Sequence, residues 1–380
     1  MDFSLDEAQQ ELADLAAKIL GEQVTAERLR ELERAGEPFD RRLWEQLARA
    51  NLLGVALPED VGGMGYGIME LCVLLEQVGR HVAPVPLLAT VGTAALPIAE
   101  LGSDEQRRRY LPGVIEGASI LTAALQEPLH GDPLAPSTTA RPRDGGWRID
   151  GEKVAVPYAP VAERILVTAT TGPGAVGLFL VDPTADGVTL EPATATNREP
   201  QGHLTLAGVE VGPEDVLGDP AAGTAAVEWV VRRAVAGLCA TGVGVLEQAV
   251  RITADYISQR VQFGKPIATF QGATLRAADA YVDTAAARVT TRSAVWRLAE
   301  GRPCAEELAI AKFWIADGGQ RAAYACQHLH GGIGVDLDYP IHRYFLWAKE
   351  LELTLGGATE QLLRLGSLLA GEAGEASPTS

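Results

Sequence analysis

The feature that most constrains this chain is the place where its hydrophobic period changes, and changes back. Up to about residue 120 the apolar positions recur near helical spacing, as in Leu5, Leu12, Leu15, Ile19 and Leu20 with charges between them. Asp40 is placed to cap the next helix, whose stripe is Leu43, Trp44 and Leu47. From about 121 to 220 short β-branched runs take over, among them 164–169 and 177–181, punctuated by Asp144-Gly145-Gly146 and Asp186-Gly187 as turn signals. Helical periodicity then returns. Val230, Ala234, Leu238, Val245, Ala249, Ile252 and Tyr256 fit one long helix beyond Pro220, and further helices are predicted near 271–300, 304–329 and 341–370. The expected class is α+β, mostly α: a helical domain (1–120), a middle β domain (121–220), a C-terminal four-helix domain (221–371) and a flexible tail (372–380).

A length of 380 residues calls for more than one core. A net charge of −18 argues against nucleic acid or an anionic membrane as the main partner. The four cysteines, Cys72, Cys239, Cys304 and Cys326, are scattered without metal-binding or disulfide spacing. The first residues lack the basic and apolar regions of a leader, and no uncharged apolar run reaches the length of a membrane span, so a cytoplasmic protein is expected. The glycines of 58–67 could be taken for a phosphate loop, but no strand precedes them, and a connecting loop is the better reading.

The chemistry-bearing stretch is 256–271. A long helix is expected to end in Arg260, followed by Gln262, Phe263, a Gly264-Lys265-Pro266 turn and the pair Phe270-Gln271. A guanidinium there can fork onto a pyrophosphate, and an exposed ring beside it can pack on an adenine. On these residues alone, a capped helix end with a surface arginine is the favoured reading.

This stretch closely resembles the C-terminal domain of the acyl-CoA dehydrogenase family. His330-Gly331-Gly332-Ile333-Gly334 with Asp338-Tyr339-Pro340 and Arg343 resembles a second family pattern, and Leu57-Pro58-Glu59 with Gly62-Gly63 and Gly65 a third, so the likeness spans the chain. It implies the family fold of a helical domain, a β-barrel-like middle domain and a C-terminal four-helix bundle. It also implies FAD at a subunit boundary, gripped by Arg260, Gln262, Phe263, Phe270, Gln271, Gly331 and Gly332, with Thr359 near the C-terminus also carried over. Where the family places Gln before the paired glycines, this chain has His328, which can still hydrogen-bond. His328 and His330 could be read as metal ligands, but their surroundings in sequence do not make a ligand set, and no metal is expected.

The resemblance also exposes losses. The family reaction takes an α-proton from an acyl-CoA thioester with a positioned glutamate. Gapless counting puts Leu355 at that place, alignment on Thr359 and Arg364 puts Gly357 there, and the alternative place on the long helix falls at Ala234. None can accept a proton, and Glu360 is the nearest acidic substitute. In the middle domain the family's flavin-facing residues become Gln126-Glu127-Pro128-Leu129-His130-Gly131-Asp132, and Ala155-Val156-Pro157 after Gly151-Glu152-Lys153. The nucleotide-gripping half is kept while the ring-cradling half is eroded.

The chain therefore resembles the base-lacking subunit of paired acyl-CoA dehydrogenases of actinobacteria. That implies a heterotetramer with a second dehydrogenase-like subunit that carries the glutamate, and a role in lipid or steroid catabolism. An acyl-CoA substrate and an electron-transfer flavoprotein or similar acceptor go with it. Two other readings stand beside this one: a self-sufficient homotetramer with Glu360 as base, and a flavin-free scaffold or CoA-thioester-binding protein.

Overall fold

The computed structural model describes residues 4–129, 132–221 and 223–375. His130 and Gly131 of the expected flavin-facing stretch, and 376–380 of the expected tail, lie outside the described residues. The first helices are α1 (Glu7–Gln23), α2 (Ala26–Ala35), α3 (Arg41–Arg49) and α4 (Ile68–His81). A π-helical stretch, Leu88–Ala95, runs into α5 (Leu96–Leu101), and α6 (Asp104–Ile115) closes the series. Local sequence explains the starts. Asp6 with Gln9 and Ser103 with Gln106 form reciprocal capping boxes on α1 and α6. Asp40 accepts the Leu43 N–H at 3.2 Å to cap α3, as the sequence predicts, and Arg28 forks onto its two oxygens at 2.9 Å each.

The strands follow: β1 (Leu121–Ala124), β2 (Thr139–Arg143), β3 (Gly146–Pro157), β4 (Arg164–Gly172), β5 (Ala175–Val181), β6 (Val188–Thr194), β7 (Pro200–Val211) and β8 (Val216–Leu217). They form one sheet in the order β6-β7-β3-β2-β4-β5-β8, with β1 added parallel to β4. Asp144 (φ 43°) and Gly145 (φ 88°) make the two-residue turn from β2 to β3 that their residue types predict. The sheet closes on one core of Ile149, Val156, Ile165, Val167, Phe179 and Leu204, with Trp147 packed on Phe179 at 5.5 Å between centroids.

The helical C-terminal part begins with α7 (Gly223–Gln259) and a small hairpin, β9 (Val261–Gln262) and β10 (Lys265–Pro266). Then come α8 (Gln271–Ala299), α9 (Ala305–Phe313), a π-helical turn (Trp314–Gly318), α10 (Gly319–His330), a 3-10 segment (Gly331–Val335), α11 (Ile341–Leu353) and α12 (Ala358–Glu375). The single helix predicted over 341–370 is two helices, because the chain breaks at 354–357, where Leu355 (φ 56°) and Gly356 (φ 95°) are both left-handed. The helix also continues to Glu375, into the expected tail, since 371–375 contains no proline to stop it. By length and composition α7 could cross a membrane, but 83% of its most apolar stretch is buried, as in a core helix.

Contacts divide the chain into two compact units, one of Met1–Glu27, Cys72–Ala83 and Leu238–Ser380, the other of Arg28–Leu71 and Pro84–Gly237. In the first, α4 and α7 cross at glycines. A Cβ on Gly244 would lie 1.9 Å from the Glu76 carbonyl oxygen, and one on Gly79 would lie 2.0 Å from that of Thr241. Only glycine permits that approach. Charge locks the same crossing: Arg80 bridges Glu76 (3.3 Å) and Glu247 (2.5 Å), and Glu247 also holds Arg288 at 3.2 Å. Burial and the neighbouring Glu247 push the Glu76 carboxyl above its usual range.

Candidate nucleotide-binding arm and vacant base position

In the first unit the residues singled out in the sequence gather at two chain reversals. The first is the arm after α7. The Arg260 N–H donates to the Tyr256 carbonyl at 2.8 Å, and its own carbonyl accepts from Ile267 N at 2.9 Å, so the hairpin is tied back to the helix end. Arg260 and Gln262 are exposed. The hairpin turn is Phe263 (φ 51°) and Gly264 (φ 78°), a pair of left-handed residues that matches the twist of a two-residue hairpin. The turn holds the Phe263 ring 92% exposed, edge-on to Phe270 at 6.2 Å between centroids, with Lys265 Nζ 4.7 Å from the Phe270 ring centre. Phe270 caps α8 through its carbonyl, which accepts from Ala273 and Thr274 at 3.0 Å, and Gln271 is exposed on the first turn.

The second reversal ends α10. Gly331 (φ 61°) and Gly332 are exposed, and a Cβ built on either meets no atom within 4 Å. The turn is fixed from beneath by Gln327, whose Nε2 donates to the Gly334 carbonyl at 2.6 Å. His328 is exposed on the last turn of α10, whereas His330 is buried beneath Tyr256. Among the described residues no group of three His, Cys, Asp or Glu side chains is placed to hold a metal.

A guanidinium, an ammonium, two aromatic faces and open paired glycines suit the adenosine-diphosphate end of a dinucleotide. Cations meet phosphate, rings meet a base, and bare backbone permits close approach. Open space at both glycines leaves room for such a group.

The turn at 354–357 carries two of the positions at which the resemblance places the base. Leu355 is half-buried and presents hydrocarbon, Gly357 has no side chain, and Thr359 and Glu360 are exposed on the first turn of α12. Glu360 reaches back toward this turn: its Oε2 lies 3.4 Å from where a Cβ on Gly357 would stand. Ala234 is buried in α7 and carries no acid. The carboxylates nearest it in sequence are engaged, Glu228 by Arg232 and Glu247 by Arg80 and Arg288.

What sequence reading missed is how this turn is held. Lys312 of α9 is fully buried, and its Nζ donates to the carbonyls of Leu351 (2.9 Å), Glu352 (3.0 Å) and Gly356 (3.0 Å). Gln361 Nε2 adds Leu355 O (3.1 Å) and Gly356 O (3.3 Å). A lysine thereby caps the C-terminus of α11 in place of a glycine motif. Burial pushes Lys312 down to about 8, opposed by Cys239, Glu352 and Glu360.

In the second unit the residues aligned with the flavin-facing motifs do structural work. Glu127 accepts from Lys153 Nζ (2.7 Å), Ser137 N (2.5 Å) and Thr138 N (3.0 Å), and Lys153 also donates to Thr168 Oγ1 at 3.0 Å. Both partners are buried; burial pushes Lys153 down to about 8, while the bonds hold Glu127 below its ordinary range despite burial. Ala155 (φ 50°) lies in a bulge of β3, and the Pro157 carbonyl accepts from Thr122 Oγ1 at 2.6 Å.

Residues 6–118 match the family model for the acyl-CoA dehydrogenase N-terminal domain, and 221–367 that for the C-terminal domain. Acyl-CoA dehydrogenase FadE27 of Mycobacterium tuberculosis is 39% identical, over 97% of this chain and 99% of the relative. Among solved structures, a chain of the ChsE4-ChsE5 complex from Mycobacterium tuberculosis superposes with a TM-score of 0.92 at 38% identity, each chain covered in full. A chain of the Tcur3481-Tcur3483 steroid ACAD, solved as a variant, gives 0.91 at 47% identity, over 97% of this chain and 99% of the other. With its helix–sheet–helix order, its two matched domains and full-length likeness to dehydrogenases, this chain belongs to the acyl-CoA dehydrogenase family of oxidoreductases.

Proposed function

We propose that this chain is one subunit of a heteromeric, FAD-dependent acyl-CoA dehydrogenase that oxidises the α,β-bond of an acyl-CoA thioester, with the proton-abstracting glutamate supplied by a second dehydrogenase-like subunit. The observation that carries this reading is an asymmetry. The nucleotide arm of Arg260, Phe263 and Phe270 and the open Gly331-Gly332 turn are intact, while Leu355, Gly357 and Ala234 offer no base. Arg260 would neutralise the pyrophosphate, with Gln262, Gln271, His328 and Thr359 as further polar contacts and the two phenylalanines against the adenine. Bound FAD supplies the hydride-accepting flavin. A weakly acidic α-proton needs a carboxylate within hydrogen-bond reach, and a leucine or glycine cannot meet that need.

The likeness to two-component complexes, one of them called a steroid ACAD, supports a heterotetramer and a CoA thioester of bulky ring-derived acyl groups in lipid or steroid catabolism, with electrons passed to an electron-transfer flavoprotein or similar acceptor. The test is to purify the chain alone and together with the dehydrogenase-like product of a neighbouring gene. Flavin and turnover are expected only in the pair; full flavin content and full activity in the lone chain refute the reading.

One observation favours a second reading, a self-sufficient homotetramer. The Glu360 carboxylate stands beside the empty side-chain position of Gly357. Glu360→Gln distinguishes the two: abolished turnover with flavin retained supports Glu360 as base, and unchanged turnover of the paired enzyme removes it.

A further inference from the structure

The Arg260 arm leaves α7 and the Gly331-Gly332 turn leaves α10, two helix ends separated by about 70 residues of sequence. What ties them together is a cluster of three rings. Tyr256 holds the arm through its carbonyl, which accepts the Arg260 N–H at 2.8 Å. Its ring stacks on His330, the residue immediately before Gly331, with centroids 4.5 Å apart and planes 22° from parallel. Its hydroxyl donates to the His330 carbonyl at 3.4 Å. Tyr339 closes the cluster at 5.1 Å from His330 and 6.0 Å from Tyr256.

His330 is only 3% exposed. Its Nδ1 lies 2.8 Å from the Cys326 carbonyl oxygen, an acceptor, so Nδ1 carries the hydrogen. Nε2 is buried and without a partner among the described residues. The ring is thus held by stacking and one hydrogen bond. The titratable groups around the cluster are Tyr256 and, acting on Tyr339, Asp255 from α7; Cys326 from α10; and Tyr339 from the segment before α11.

We propose that the Tyr256–His330–Tyr339 stack is the positioning element of the nucleotide grip, fixing the Arg260 arm against the Gly331-Gly332 turn, and that it does so with His330 uncharged. This rests on the reading of those two elements as the FAD-binding half of the site. His330 is a positioning residue: it acts through the turn it precedes and the tyrosine that anchors the arm. A proton on Nε2 would place a second N–H in the stack with no acceptor beside it, and burial already pushes the imidazole below its ordinary 6.5. The grip is therefore complete at neutral pH and loosens only when pH falls far enough below the ordinary imidazole range to protonate the ring.

The experiment measures FAD affinity by flavin fluorescence in the flavin-carrying assembly, from pH 5.5 to 8, for wild type, His330→Ala, His330→Phe and Arg260→Gln, with a thermal melt of each. His330→Ala is expected to bind FAD about tenfold more weakly across the range, the loss of an aromatic stack converted to affinity. His330→Phe keeps a ring without a titrating nitrogen. It is expected to bind as wild type does at pH 8 and to lose the weakening on acidification. The proposal is overturned if His330→Ala, with an unchanged melt, binds FAD as wild type does, or if the acid weakening persists in His330→Phe. Arg260→Gln separates the two levels of the argument. If it too leaves FAD affinity unchanged, the nucleotide-arm reading fails; if it alone weakens binding, only the role of the stack fails.

Discussion

Replacing Lys312 by methionine tests how the turn at 354–357 is built. The substitution preserves most of the side-chain volume but removes a donor that satisfies three carbonyls, those of Leu351, Glu352 and Gly356. Hydrogen bonds from a charged group contribute about 1.5–3 kcal/mol each, so their combined loss is of the order of 6 kcal/mol. Against this, methionine removes the cost of burying an ammonium. The fall from an ordinary 10.5 to about 8 places the net cost at about 3.5 kcal/mol, at about 1.4 kcal/mol per tenfold. The net expectation is a destabilisation of about 2.5 kcal/mol. It should be seen as a lowered melting temperature and as faster amide hydrogen exchange at Gly356 and Gln361, whose N–H groups bond within this turn. The pH dependence has a definite sign. Because the folded-state value lies below the unfolded one, the unfolded chain binds more protons between pH 8 and 10.5, and wild type gains stability from this group as pH rises through that window. Lys312→Met lacks that gain, so its deficit widens with pH. Equal stability of the two proteins at pH 7, or a deficit that shrinks toward pH 10, would refute the assignment of Lys312 as a buried cap.

Three further outcomes follow from the packing and from the arm. Glu127→Gln leaves the Lys153 ammonium buried without its counter-charge and is expected to cost about 3–5 kcal/mol in urea unfolding, whereas Glu127→Met combined with Lys153→Met recovers most of that loss. Gly244→Ala places a methyl 1.9 Å from the Glu76 carbonyl oxygen and should force α4 and α7 apart, with a loss of several kcal/mol or no folded protein on expression; a normal melt would refute the close crossing. Phe263→Ala removes a ring that is 92% exposed, so stability should stay within about 0.5 kcal/mol while FAD affinity of the assembled enzyme falls; an unchanged affinity would take Phe263 out of the nucleotide site.

Much of the architecture was legible because it is local. The change of hydrophobic period marks the helix–sheet–helix order, Asp40 announces a helix start three residues before the N–H it caps, and Asp144-Gly145 specifies its own turn. The arm from Arg260 to Gln271 was legible for the same reason, since its residues neighbour one another in sequence and remain together in space. The break at 354–357 was less so. One continuous helix over 341–370 is what the period predicts despite Gly356-Gly357, and Leu355 adopts φ 56°, a conformation that leucine does not favour alone and that the surrounding bonds impose.

The sequence by itself determined the helix–sheet–helix order, the turn after Arg260 and that Leu355, Gly357 and Ala234 carry no acid, because period, turn chemistry and residue identity need no distant partner. Tertiary structure alone decided that Lys312 caps a helix about 40 residues further on, that Glu127 is spent on Lys153 rather than on a ligand, and that His330 lies in a ring stack instead of beside His328 at the surface. The physical reason is common to all three. A buried polar group must find a partner, and which partner it finds is set by where the chain returns, which no local pattern encodes.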